Sequence, residues 1–217
     1  MVEFFCDLNH VTQALLATIF TWSVTALGAA LVFLFKTIKK NIMDAMLGFA
    51  AGVMISASFW SLLSPAIEMA ENLKMVTWLV ATAGFFGGGL LLFIGDKIFT
   101  KLSKNKKYNN NSFRRCLMLI FSITLHNIPE GLAVGVAFGS LSYGLDGTTL
   151  AATSLLALGI GLQNFPEGTA VSVPLRREGM SRKKAFFFGQ LSGIVEPISA
   201  VIGALLVTKI RLLLPFL

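Results

Sequence analysis

The sequence predicts an all-α fold, a polytopic membrane bundle of six transmembrane helices with its N-terminus outside the cell. Three observations predict it. Of the 217 residues 55% are hydrophobic and only 13% charged, about half the ~25% charged fraction of a soluble domain. The mean hydropathy is +0.75, and nineteen Phe stand against two Tyr. The apolar residues also gather in runs of the ~20 residues that one span needs. A cytosolic enzyme, a nucleic-acid module and a secreted disulfide scaffold are excluded on this composition.

The six runs, in order, are Val11–Phe35, Asp44–Ile67, Val76–Phe99, Cys116–Phe138, Thr149–Val173 and Ala185–Val207. The first has no basic segment before it and no small-residue cleavage site after it, so it reads as a retained helix and not as a signal peptide. Between the runs the cations alternate. Lys36, Lys39 and Lys40 follow the first run. Lys97, Lys101, Lys104, Lys106, Lys107, Arg114 and Arg115 surround the third connection. Arg176, Arg177, Arg182, Lys183 and Lys184 occupy the fifth. Fifteen of the eighteen cations thus lie on one side, leaving Lys74, Lys209 and Arg211. Positive loops are cytoplasmic, which places the acidic N-terminal segment, with Glu3 and Asp7, outside. The net charge of +7 is therefore a topology signal, and no nucleic-acid partner is expected. Cys6 and Cys116 fall on opposite sides of the membrane and cannot pair within one chain.

One transmembrane domain is expected over residues 1–217. Residues 11–95 form a first three-helix group, 96–115 a disordered basic cytoplasmic connection, and 116–217 the second group with an apolar tail. The expected setting is the cell membrane, with multiple passes.

Of the eleven acidic residues, Glu130, Glu167 and Glu196 lie near the midpoints of the fourth, fifth and sixth spans. A carboxylate there costs about 2.5–3.5 kcal/mol on insertion scales, and such residues are functional by default. The plainer alternative is three protonated carboxyls hydrogen-bonded between helices. Their neighbours bear on the choice. Residues 126–131 read HNIPEG and residues 163–168 read QNFPEG. From His126/Gln163 to Val136/Val173 the two segments match at Asn, Pro, Glu, Gly, Ala and two Val, without gaps. They lie on spans running in opposite directions, so the copies are expected to face each other.

Residues four apart share a helix face, which puts His126 with Glu130 and Gln163 with Glu167; Asn127 and Asn164 flank the same faces. Pro129 and Pro166 each lack the N–H that would bond the carbonyl of Leu125 or Leu162. In a membrane those carbonyls need a cavity, water or a cation. Gly131, Gly135 and Gly139 form a small-residue ladder that admits a close neighbour. One imidazole, three carboxylates and three amides, with no thiolate, suit Zn2+, Fe2+, Mn2+ or Cd2+ better than Cu+. A lone membrane histidine also serves as a proton relay or packing residue; the two carboxylates on matching turns favour a ligand. No nucleotide-binding G-x-x-x-x-G-K-[ST] and no H-E-x-x-H occurs, so neither an ATP-driven pump nor an embedded zinc protease is expected, and no catalytic residue or enzyme activity is assigned.

With SGIVEP on the sixth span and GFAAGVMISASFWSLLSPAIE on the second, these motifs resemble the ZIP (Zrt/Irt-like) metal-ion transporters, in particular their GufA-like bacterial branch. The resemblance spans about Asp44 to Ile210. It implies secondary transport of a divalent metal, Zn2+ first and Fe2+, Mn2+ or Cd2+ in relatives, towards the cytoplasm. By position, His126, Glu130, Gln163 and Glu167 resemble one metal site. Asn127, Asn164 and Glu196 resemble an adjacent second, with Glu130 and Glu167 able to bridge both as a binuclear site. Met54 corresponds to a further soft ligand, and Glu68 to an entrance carboxylate that draws cations in. Each has an ordinary reading, packing for Met54 and a solvated helix end for Glu68.

Two features depart from the family pattern. The third connection is not His-rich, and the family has eight helices where six are visible here. The expected partners are divalent metal ions and the lipid bilayer, with a homodimer or a partner chain supplying the missing helices. Alternating access by one repeat against its inverted mate is then expected to be compromised in residues 1–217 alone, while metal binding survives. The competing functions are a metal- or proton-binding channel and a non-transporting metal-binding subunit.

Overall fold

In the computed structural model, which describes residues 5–35, 39–104, 111–143 and 149–207, every regular element is helical. Helix α1 (His10–Ala29) opens on an Asn9 cap whose side chain accepts from the Thr12 N–H at 2.9 Å, and a short α2 (Leu31–Leu34) extends it. The second span is α3 (Lys40–Ala57), a π-helical turn at Ser58–Leu63 and α4 (Ser64–Asn72). The third is α5 (Thr77–Lys104) and the fourth α6 (Asn111–Ser140), which ends in a 3-10 turn at Leu141–Tyr143. The fifth is α7 (Leu150–Arg177), and the sixth is divided into α8 (Arg182–Leu191) and α9 (Val195–Val207).

Among the described residues, five helical segments are long and apolar enough to cross a membrane: His10–Leu34, Lys40–Trp60, Thr77–Gly95, Ile120–Ser140 and Arg182–Val207. The fifth expected span, α7, is outside that set. At 28 residues it is long enough, roughly 42 Å at 1.5 Å per residue. Its Gln163, Asn164, Glu167, Thr169 and Ser172 make it too polar to qualify by composition. The packing explains how such a helix is tolerated. It lies against α1, α3, α6 and α8, with fifteen of its residues buried, so its polar positions meet protein and not lipid.

A second difference concerns the connection expected to be unstructured over 96–115. Helix α5 continues to Lys104 and α6 already begins at Asn111. Lys and Leu at the end of α5 and Arg114 and Arg115 at the start of α6 sustain a helix well, so the rods run past the apolar stretch on both sides. Residues 105–110 lie outside the described residues, as does the apolar tail 208–217.

Glycines set the closest approaches. A Cβ on Gly131 would strike the Glu196 main chain, and one on Gly135 the Ala200 carbonyl, so the ladder on α6 receives α9. Reciprocally, a Cβ on Gly28 would strike the Phe165 carbonyl and one on Gly168 the Thr25 carbonyl, which locks α1 onto α7. Backbones this close gain van der Waals contact, the main attraction between helices in lipid. Helices α1, α6, α7, α8 and α9 thus form the dense half of the molecule. Helix α3 packs on α7, and α5 touches chiefly α4 and α6. The large side chains of α3, the π-helical turn and α5, among them Ile55, Trp60, Trp78, Phe85 and Phe86, face outward, as lipid-facing surfaces do.

Candidate functional site

The paired motifs meet inside the dense half. Helix α6 runs unbroken through Pro129 and α7 through Pro166. Gln163 Nε2 donates to Glu130 Oε1, joining the two copies directly. Around this contact lies a cavity of about 210 Å³, lined among others by Met54, Ser58, His126, Glu130 and Gln163. His126 and Glu130 share it as their spacing predicts, and His126 is the exposed member. Met54 reaches it from α3, beside Ser58 and Leu62 of the π-helical turn, a geometry that recurs at functional sites. Glu68 does not; it sits on an exposed part of α4, away from the cavity lining.

Deeper in, Asn127, Asn164 and Glu196 are each 0% exposed, Gln163 1% and Glu167 7%. Each amide is oriented by an acceptor that only its nitrogen can serve. Asn127 Nδ2 donates to the Ser192 carbonyl at 2.8 Å. That carbonyl sits where the sixth span breaks between α8 and α9, just ahead of Pro197. Asn164 Nδ2 donates to both Glu196 oxygens, at 2.9 Å each. Glu167 lies within electrostatic reach of Glu130 and of Glu196.

With the nitrogens engaged, the oxygens are left over. Among the described residues, seven buried side-chain polar atoms lack a hydrogen-bond partner. One is Arg176 Nε; the other six are Asn127 Oδ1, Glu130 Oε2, Gln163 Oε1, Asn164 Oδ1 and both Glu167 oxygens. A buried acceptor without a partner costs about 1–3 kcal/mol. Six of them, all oxygen and all in one repeated motif, make a surface suited to a cation. The set is amide and carboxylate together. Among the described residues no three His, Cys, Asp or Glu side chains stand close enough to hold a metal ion by themselves; the amides Gln163 and Asn164 lie against Glu130 and Glu196.

The profile of the ZIP zinc transporter family matches residues 11–116 and 105–212. The chain belongs to the ZIP family. The zinc transporter ZIP11 of Xenopus tropicalis is 38% identical over 96% of this chain and 84% of its own length. The zinc transporter ZupT of Streptococcus mutans is 35% identical over 93% of this chain and 78% of its own. The zinc transporter GufA of Myxococcus xanthus is 32% identical over 93% of this chain and 79% of its own. The HNIPEG and QNFPEG segments of α6 and α7, the helix pair whose oxygens lack partners, lie within the matched residues.

Two participants escape a reading by motif. Ser192 contributes a carbonyl, which no side-chain pattern announces. Thr21 on α1 donates its hydroxyl to Glu196 Oε2 at 2.5 Å. Its visible trace is a row of hydroxyls, Thr18, Thr21 and Thr25, at helical spacing in a mostly apolar span.

Proposed function

We propose that this chain is a divalent-metal transporter that carries Zn2+ across the membrane towards the cytoplasm, with the N-terminus outside. Transport, not catalysis, is its activity. The observation that carries the reading is the set of six partnerless buried oxygens on the repeated motif, in a chain of a zinc-transporting family. His126, Glu130 and Gln163 at the cavity, with Glu167 behind them, form the first binding position. Asn127 and Asn164, backed by Glu196, form a second alongside it, and Glu130 and Glu167 serve both. Oxygen donors with one imidazole accept Zn2+, Cd2+, Fe2+ and Mn2+. Met54 adds a thioether at the cavity wall, and Glu68 acts only as an outlying charge.

The function is supported from several sides. The cavity admits water-sized occupants between two motif helices. Micromolar binding, worth about 8 kcal/mol, is of the size needed to offset three buried carboxylates. The alternation of positive loops supports the orientation. Zinc flux into liposomes containing the purified protein tests the proposal. Saturable uptake, however slow, that is lost in Glu130→Ala/Glu167→Ala is expected; ohmic current without saturation would instead identify a channel.

A further inference from the structure

Helix α1 carries three buried threonines, Thr18, Thr21 and Thr25, spaced to share a face. Hydroxyls in membrane helices commonly return their proton to a carbonyl one turn back, and two of the three do so. Thr18 Oγ1 donates to the Ala14 carbonyl at 2.7 Å, and Thr25 Oγ1 to the Thr21 carbonyl at 3.3 Å. Thr21 differs. Its hydroxyl leaves the helix for Glu196 Oε2 at 2.5 Å, while the Thr18 carbonyl at 3.1 Å is the more distant acceptor for its single proton. The main-chain carbonyl of the same residue accepts from Asn164 Nδ2 at 3.3 Å.

Thr21, Asn164 and Glu196 therefore close a triangle across α1, α7 and α9, and all three are 0% exposed. Both Glu196 oxygens are occupied within it, one by Asn164 alone and one by Asn164 and Thr21. The Asn164 nitrogen is fully committed. Its Oδ1 is consequently the atom turned out of the triangle, and it has no partner. Beneath it Gly28 and Gly168 bring the α1 and α7 backbones into contact.

We infer that Thr21 is a positioning residue for the cation site: it fixes Glu196, and through Glu196 and its own carbonyl the Asn164 amide, so that Asn164 Oδ1 is presented to the ion. This rests on the reading of Asn164 as a cation ligand. Glu196 then acts first as the orienting partner of Asn164. Partners of this kind set ligand geometry, and their loss weakens metal binding by roughly 10–100-fold.

The test is Zn2+ titration of the purified full chain in detergent, in competition with a chromophoric chelator, with thermal melting of each variant alongside. Thr21→Val keeps the shape and deletes the hydroxyl; about tenfold weaker binding or more is expected. Thr21→Ser returns the hydroxyl and is expected to restore affinity. Thr18→Val and Thr25→Val each remove only a bond within α1, and are expected to bind as the parent does. Parent-like affinity in Thr21→Val would overturn the inference. So would equal losses in all three valine variants, which would mark packing, or a failure of serine to rescue. Glu130→Ala/Glu167→Ala separates the two readings: retained zinc there refutes the site itself, whereas zinc lost there but kept in Thr21→Val refutes only the role of Thr21.

Discussion

His126 and Glu130 stand four residues apart in a helix, and that spacing alone brings both to one cavity. His126 is the sole imidazole there, so His126→Ala is expected to weaken Zn2+ binding about tenfold, equivalent to ~1.4 kcal/mol, and to narrow the preference for Zn2+ over Mn2+. Competition titrations with the two ions check this, and an unchanged preference would remove His126 from the ligand set. At this scale the sequence discloses which residues are out of place in lipid, since a mid-span Glu, Asn or Gln is costly wherever it points. It does not disclose how an amide is turned. Asn127 is oriented by the Ser192 carbonyl 65 positions away and Asn164 by Glu196 and Thr21, and such pairings exist only once the helices are packed.

The elements owe their closeness to glycine, and the consequence is measurable. In Gly135→Ala the new methyl meets the Ala200 carbonyl of α9. Overpacking of this kind costs about 1–3 kcal/mol, and thermal melting in detergent is expected to show the loss. In Gly159→Ala the methyl meets only a Val53 methyl at 3.7 Å; that variant is expected to melt at or slightly above the parent temperature, since Ala favours a helix over Gly by up to ~1 kcal/mol. Equal melting of the two would show that α6 and α9 are not in backbone contact. Apolar runs located the spans well because a bilayer forces helix wherever they occur. Two interruptions were not legible in that pattern. The π-helical turn at Ser58–Leu63 precedes Pro65, which cannot donate to the Ser61 carbonyl. The break between α8 and α9 precedes Pro197 in the same way. Hydropathy averages over both prolines.

For the whole molecule, the fold class was readable because composition leaves a chain this apolar few soluble alternatives, and the run Thr149–Val173 located α7; what that run did not disclose is that neighbours surround this helix, which makes its polarity tolerable. Orientation is testable through Cys6, which is exposed and free. In a Cys116→Ser background, a membrane-impermeant maleimide applied to intact cells is expected to label Cys6 on the outer face; labelling only after lysis would invert the topology. The central claim, that the partnerless oxygens of the paired motifs hold a divalent cation, is tested most directly by metal analysis of the purified protein against Glu130→Ala/Glu167→Ala. The parent is expected to retain zinc after desalting. The double variant, from which buried charges have been removed and none added, is expected to stay folded by size-exclusion profile and to contain no zinc. Stoichiometric zinc in the folded double variant would contradict the account.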